Sequence, residues 1–143
     1  YSGNPLSCSA GLAVLKEVID EQLIKNAEIQ GELLKSELIK LKNKYDFIGD
    51  VRGKGLLLAF ELVANKKTME PLPPELEAHF YLVEEAYKRG LIIYSRRSRG
   101  GNTGDHFMIC PPMTINNKQI KELMNILNKS IESFAKTAKL IEK

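Results

Sequence analysis

The stretch that most constrains the fold is Asp50 to Val63 (DVRGKGLLLAFELV), because it predicts a strand together with its own lead-in turn. The apolar run from Leu56 to Phe60 is too short for an isolated helix and is followed by Glu61. It predicts a fully buried strand in the middle of a sheet. Gly53 and Gly55 allow a bulge or a positive-φ turn where the chain enters this strand.

Composition fits an ordinary globular domain. The chain has 143 residues, of which 43% are hydrophobic and 27% charged, and its formal charge of +3 is spread along lysine-rich helices. This small excess does not favour nucleic acid or a membrane surface as a partner. No apolar run approaches the roughly 20 residues that span a bilayer, and no charged-then-apolar leader precedes the first helix. We therefore expect a cytoplasmic protein.

The two cysteines show no metal-ligand or redox spacing. Cys8 and Cys110 lie far apart, and in a lysine-rich chain we expect two buried free thiols, rather than a disulfide or a metal pair.

Two helices are predicted before the sheet. Asn4 can cap a helix that begins at Pro5, and Leu12, Leu15 and Ile19 recur at helical spacing, which predicts a buried first helix. From about Glu21 a second apolar pattern follows. We expect a helix that lies against the sheet, although a short coiled coil is an alternative. The second pattern comprises Ile24, Ala27, Gly31, Leu34, Leu38, Leu41 and Tyr45.

The second half of the chain predicts further strands and two more helices. A short strand is possible at residues 47–48, residues 65–74 are irregular, and a helix opens at Glu75 and closes at Gly90. Strands at residues 91–94 and 105–110 flank a polar ten-residue loop, and Asn116 or Asn117 caps the last helix. The predicted apolar positions are Leu76, Phe80, Val83 and Tyr87 in the third helix, and Ile120, Leu123, Leu127, Ile131 and Phe134 in the last.

Few residues suggest chemistry by themselves. The glycines at 49–55 do not match a phosphate-binding loop or a dinucleotide fingerprint, and His79 and His106 lack partners at ligand spacing, so we predict no metal site. Arg96, Arg97 and Arg99 form the one dense basic cluster. It is either a solvated hairpin tip or a site that captures a small anion through guanidinium hydrogen bonds.

Four segments together resemble the C-terminal portion of class III aminotransferases, which are pyridoxal-phosphate (PLP) enzymes. The segments are YSGNPLSCSAGLAVL at 1–15, DVRGKGLLLAFEL at 50–62, GLIIY at 90–94 and GDHFMICPPMTI at 104–115. The resemblance implies an α+β fold, with a small antiparallel sheet of three or four strands covered by helices. It also implies a helical lead-in at 1–45 and a small C-terminal α/β domain at 46–143, packed on the protein's own large domain in a homodimer.

The resemblance also implies roles for individual residues. Tyr1 and Ser2 would lie near the phosphate of the cofactor, PLP. The lysine, aspartate and stacking aromatic residue that hold PLP would lie upstream, so this chain is expected to contain no catalytic residue and to be inactive alone. Tyr94 stands where the family often places an arginine that binds the substrate carboxylate. That role is expected to move to Arg96 or Arg97, and Arg52 is expected to be structural.

Three functions remain open at this point. The first is transfer of an amino group from an amine or ω-amino acid to an α-keto acid by a longer PLP enzyme. The second is a glutamate-1-semialdehyde aminomutase or a racemase of the same fold. The third is a stand-alone module that binds an anion or a partner and catalyses nothing. The aminotransferase hypothesis predicts that the small-residue face of the first helix is bare in this chain or covered by a partner.

Overall fold

A computed structural model describes residues 3–141 of the chain. The element order is α1 (Pro5–Asp20), α2 (Leu23–Lys44), β1 (Ile48–Lys54), β2 (Leu57–Asn65), β3 (Glu70–Pro71), α3 (Ala78–Lys88), β4 (Tyr94–Ser98), β5 (Thr103–Ile109) and α4 (Asn117–Thr137). Short 3-10 turns lie at Pro74–Leu76 and Arg99–Gly101. The strands pair antiparallel in the order β1-β2-β5-β4, and β3 pairs with β2. The predicted fold class is confirmed.

Strand β2 lies inside the sheet, between β1 and β5, as its apolar run predicts. Its residues nevertheless alternate: Leu58, Phe60 and Leu62 are buried, whereas the side chain of Leu57 is 57% exposed. The expectation of a strand buried on both faces is therefore wrong for this chain, because the described helices cover only one face of the sheet. Gly53 and Gly55 have positive φ, as predicted for the turn.

Helix α1 begins at Pro5 and is capped by the Asn4 side chain, which accepts hydrogen bonds from the backbone amides of Leu6 and Ser7. None of its residues is buried. The prediction of a buried first helix is wrong for this chain, because α1 packs only against the start of α2 and no other described element covers it to any extent. Its small-residue face is bare, as the aminotransferase hypothesis predicts.

Helix α2 lies against β1 and β2, as predicted, and begins after Gln22, whose left-handed φ of 50° separates it from α1. Its buried residues are Gln30, Gly31, Leu34, Leu38 and Leu41. The three leucines belong to the same hydrophobic core as the sheet. The division into a lead-in at 1–45 and a domain at 46–143 stays a prediction.

The buried face of α3 is not the one that its large apolar residues predict. Ala78, Leu82 and Ala86 are buried, while Phe80 and Tyr87 are more than half exposed. The cause is that α3 packs against both α4 and the sheet, where small side chains permit a close approach. The helix also begins at Ala78 rather than Glu75, since a separate 3-10 turn precedes it.

The predicted hairpin is present, but its strands lie elsewhere than expected. Residues 91–93 are outside the sheet, and the polar stretch that predicted a loop forms most of β4, with β5 beginning at Thr103. The loop prediction is wrong because the polar side chains of β4 find hydrogen-bond partners in α3, β5 and the turn before α3. The diproline that follows Cys110 ends β5, as predicted.

Helix α4 is capped by Asn116 in a reciprocal capping box with Gln119. Its predicted apolar residues are all buried. Both cysteines are free but exposed, so the prediction of buried thiols is wrong: Cys8 lies on the uncovered α1, and Cys110 follows the last residue of β5. Within residues 3–141, no helix is long and apolar enough to cross a membrane, and no cluster of three metal-ligating side chains is found.

Candidate functional site

The face of the sheet opposite the helices forms a continuous four-strand surface. Strand pairing aligns Asp50, Glu61, His106 and Arg96 in one row across the sheet. A second row aligns Arg52, Ala59, Met108 and Tyr94. All eight side chains are partly or fully exposed, because neighbouring residues in a strand point to opposite sides and the intervening residues face the helices. We call this surface the open sheet face.

At the β1 end of the open sheet face, the charges pair with each other. One guanidinium nitrogen of Arg52 donates to Asp50 Oδ2 at 3.0 Å and to Glu61 Oε2 at 2.8 Å. Arg52 thus ties β1 to β2 across the hairpin, in line with the structural role predicted for it. Lys42 Nζ lies 3.8 Å from Asp50 Oδ1, so two cations face two carboxylates and this end has little net charge to offer a ligand.

At the β4 end of the open sheet face, the guanidinium of Arg96 is accessible to a ligand. Arg96 is exposed and lies 5.8 Å from the centre of the Tyr94 ring, within the range of a cation–π contact. Among residues 3–141, Arg96 forms no ion pair with a carboxylate. His106, opposite Arg96 in the strand pairing, has its Nδ1 3.3 Å from the carbonyl oxygen of Gly104. This end can therefore bind an anion through Arg96.

Arg97 points to the other side of the sheet. Its Nε donates to Asp105 Oδ1 at 3.0 Å, and a terminal nitrogen donates to the carbonyl oxygen of Pro74 at 2.7 Å. The Arg97 side chain is 13% exposed and that of Asp105 1%. Asp105 Oδ1 also accepts the backbone N–H of His79 at 3.1 Å. Arg97 is consequently bonded to a buried carboxylate and is not free to bind a ligand in this arrangement.

The structure thus separates the residues that the sequence grouped together. Tyr94 and Arg96 share the open sheet face, Arg97 lies on the covered face, and Tyr1 and Ser2 lie outside the described residues. Sequence reasoning missed the part played by Asp105 and the place of His106 beside Arg96. The alternation of side chains along a strand would have separated Arg96 from Arg97, had the stretch been predicted as a strand rather than a loop.

Comparison with known proteins identifies the family. The sequence model of the family "Aminotransferase class-III" matches residues 1–131. The chain belongs to the class III aminotransferases. It is 41% identical over 140 residues to the "Uncharacterized aminotransferase YodT" of Bacillus subtilis (strain 168), covering 97% of this chain and 32% of that protein. It is also 36% identical over 129 residues to the "Leucine/methionine racemase" of Thermococcus litoralis, covering 90% of this chain and 27% of that protein.

A solved transaminase structure has the same fold. An amine transaminase from an uncultivated Pseudomonas species, whose crystal structure is of the PLP-bound form, superposes with a TM-score of 0.82 at 32% identity. The match covers 93% of this chain and 28% of that one. The class III chain described here therefore spans about a third of the length of the relatives it matches.

Proposed function

We propose that this chain is the C-terminal small domain of a longer PLP-dependent aminotransferase, which transfers an amino group from an amine or ω-amino acid to an α-keto acid. The family match over residues 1–131 is the observation that carries the proposal. The small antiparallel sheet, covered by helices on one face and open on the other, is consistent with it. The longer protein is proposed to be a cytoplasmic homodimer.

Neither of two lysine-lined grooves in the described residues makes a complete PLP site. Such a site needs a lysine together with a carboxylate for the ring nitrogen and an aromatic side chain against the ring. Lys40 and Lys121 line an open groove between α2 and α4 that contains Glu37 but no aromatic residue. Lys25 lines a shallow groove that contains Glu21 but no aromatic residue. We therefore place the cofactor site in residues outside this chain, with Tyr1 and Ser2 proposed to lie near the PLP phosphate. The chain alone is proposed to be inactive.

The open sheet face is the proposed substrate side of this domain. Arg96, with Tyr94 beside it, is placed to receive the carboxylate of a substrate, because its guanidinium is exposed and pairs with no acid among residues 3–141. Arg97 remains a candidate for the same role, but it would first have to leave Asp105. Of the two arginines, Arg96 is the better placed.

One assay separates transamination from the alternatives. The full-length protein, supplied with PLP, is incubated with an amino donor in the presence and absence of an external α-keto acid. We expect amino transfer only with the keto acid, and none from the 143-residue chain alone. Turnover without a keto acid would instead support a racemase or an aminomutase, and no turnover with any donor would support a module that only binds.

Removing Arg96 should weaken the use of carboxylate-bearing donors. In the full-length protein, Arg96→Ala is expected to lower kcat/KM for an ω-amino acid. The loss of transition-state stabilisation should be about 1.5–3 kcal/mol, the usual contribution of a hydrogen bond to a charged group. A monoamine, which has no carboxylate, should be affected much less. Arg52→Ala is the matched control, because Arg52 lies on the same face but is occupied by Asp50 and Glu61. Equal kinetics for wild type and Arg96→Ala would assign Arg96 to solvent.

A further inference from the structure

Strand β4 lacks the feature that ordinarily sets the register of a strand. It is a five-residue edge strand (YSRRS), and the two side chains that it directs to the covered face, Ser95 and Arg97, are both polar. The turn that follows contains Gly100 and Gly101, both with positive φ. A polar strand beside a glycine-rich turn has a weakly specified register, and a slip of one residue would exchange the two faces. Arg96 and Arg97 would then change places.

Three hydrogen bonds on the covered face oppose such a slip. Arg97 Nε donates to Asp105 Oδ1 at 3.0 Å, and another nitrogen of the same guanidinium donates to the carbonyl oxygen of Pro74 at 2.7 Å. Ser95 Oγ donates to the carbonyl oxygen of His79 at 2.6 Å. These bonds tie β4 to β5, to the turn before α3 and to the first turn of α3. Ile93 is buried in the core just before β4 begins, but within the strand itself the contacts on the covered face are all polar, so these hydrogen bonds hold its register.

Asp105 is the residue on which this arrangement depends. It is completely buried, and a buried carboxylate is costly unless it is paired and hydrogen-bonded. Its Oδ1 accepts from Arg97 and also from the His79 backbone amide, which belongs to the uncapped start of α3, where Glu77 provides no side-chain hydrogen bond. Of the residues of β4, the pairing sets Arg97 opposite Asp105. His79 Nδ1 also lies 3.3 Å from Asp105 Oδ1, but Arg97 is the permanently charged group at this carboxylate, so the requirement of Asp105 for a cation favours the observed register.

We infer that Asp105 is a positioning residue of the substrate site: it holds Arg97 on the covered face and thereby keeps Arg96 on the open sheet face. This inference rests on the proposed function, since it assigns the substrate contact to Arg96 and makes Arg97 its anchor. Asp105 itself touches no substrate, because it lies on the opposite side of the sheet. Its effect on substrate use is exerted through β4.

The test compares Asp105→Asn with Asp50→Asn in the full-length protein. Asp50 is a matched control, because it also accepts a hydrogen bond from an arginine of the sheet, but on the opposite edge strand and half-exposed. We expect Asp105→Asn to raise KM for an ω-amino acid by about tenfold, which corresponds to 1.4 kcal/mol. The same substitution should change little in the KM for a monoamine or in kcat for either donor. Asp50→Asn should leave all of these constants unchanged. An equal rise in KM for the ω-amino acid and the monoamine in Asp105→Asn would overturn the inference.

Hydrogen exchange measured by mass spectrometry gives a readout that does not depend on activity. Asp105→Asn should speed amide exchange in β4 (residues 94–98), whereas a residue that only caps α3 would speed it at residues 78–82 alone, which would overturn the inference. If the wild-type protein transfers no amino group, the proposed function fails, but exchange in β4 still decides the role of Asp105. If Asp105→Asn does not fold, Ser95→Ala removes a second anchor and should produce the same selective change in smaller degree; unchanged exchange in β4 would contradict the inference.

Discussion

At the scale of single residues, Glu85 shows how one carboxylate joins two helices. Its Oε2 accepts a hydrogen bond from Ser133 Oγ at 2.6 Å and one from the Arg89 guanidinium at 2.7 Å, and Lys88 donates to its Oε1. Ser133 lies on α4 and the other residues on or at the end of α3. These bonds, the one from Ser133 first, lower the pKa of Glu85 from 4.5 to about 2.

The lowered pKa makes the stability of the fold depend on pH. Since the folded-state pKa lies below the unfolded value, Glu85 stabilises the fold above pH 4.5, and this contribution is lost as the pH falls toward 2. Glu85→Gln is expected to lower the free energy of unfolding at pH 7 by about 1 kcal/mol, because solvent screens part of the interaction. Urea unfolding of both proteins at several pH values would measure this. Glu84→Gln is the control, and a difference from wild type that is constant down to pH 2 would contradict the assignment.

At the scale of elements, the packing of α2 on the β1–β2 turn depends on two glycines that meet. A Cβ built on Gly31 would lie 2.4 Å from the backbone carbonyl carbon and oxygen of Gly55, a distance at which the backbone must move. Gly55 has positive φ, so its own position in the turn also favours glycine. The helix can therefore lie this close to the turn only because Gly31 has no side chain.

Gly31→Ala is expected to destabilise the fold by about 1–3 kcal/mol, the usual cost of overfilling a packed site, despite the better helix propensity of alanine. Gly11→Ala is the matched control: it is also mid-helix, but nothing lies within 4 Å of its added Cβ. That substitution should stabilise α1 by roughly 0.5–1 kcal/mol. Chemical denaturation of both variants would measure the contrast. Equal effects of the two substitutions would show that the contact between α2 and the turn is not tight.

At the scale of the whole molecule, the described chain leaves a large apolar surface uncovered. Leu12, Leu15 and Ile19, which recur at helical spacing along one side of α1, are each more than half exposed. Exposed apolar side chains along one side of a helix are typical of a face that packs against another part of a protein. The chain is about a third as long as its relatives, and the proposed large domain is our candidate for what covers α1.

Replacing Leu12 and Leu15 together by glutamine in the isolated chain should therefore reduce the exposed apolar area without lowering the stability of the fold. We expect less binding of a hydrophobic dye and less self-association in sedimentation. The free energy of unfolding should change by less than about 0.5 kcal/mol, as for surface positions. Leu38→Gln is the contrasting variant, because Leu38 is 1% exposed in the core and its replacement should destabilise strongly. A loss of stability in the α1 variant equal to that of Leu38→Gln would mean that α1 is packed in solution.

The sequence by itself determined the features that local chemistry controls. Apolar runs and spacings predicted the interior strand β2, the position of α2 against the sheet and the buried face of α4, and cap residues predicted where α1 and α4 begin. Four linked motifs predicted the family. Each of these signals lies in a few neighbouring residues or in a periodic pattern, so no distant contact was needed to recognise it.

Only the tertiary structure decided which faces are covered and which arginine is free. The exposed leucines of α1, the small-residue face of α3 and the one-sided burial of β2 depend on which elements pack against them, and a periodic pattern does not identify the neighbour. Strand β4 was mistaken for a loop because its polar residues are satisfied by Asp105, His79 and Pro74, which are distant in sequence. The bond between Arg97 and Asp105 holds Arg97 on the covered face, and Arg96, the next residue in the strand, is exposed on the other.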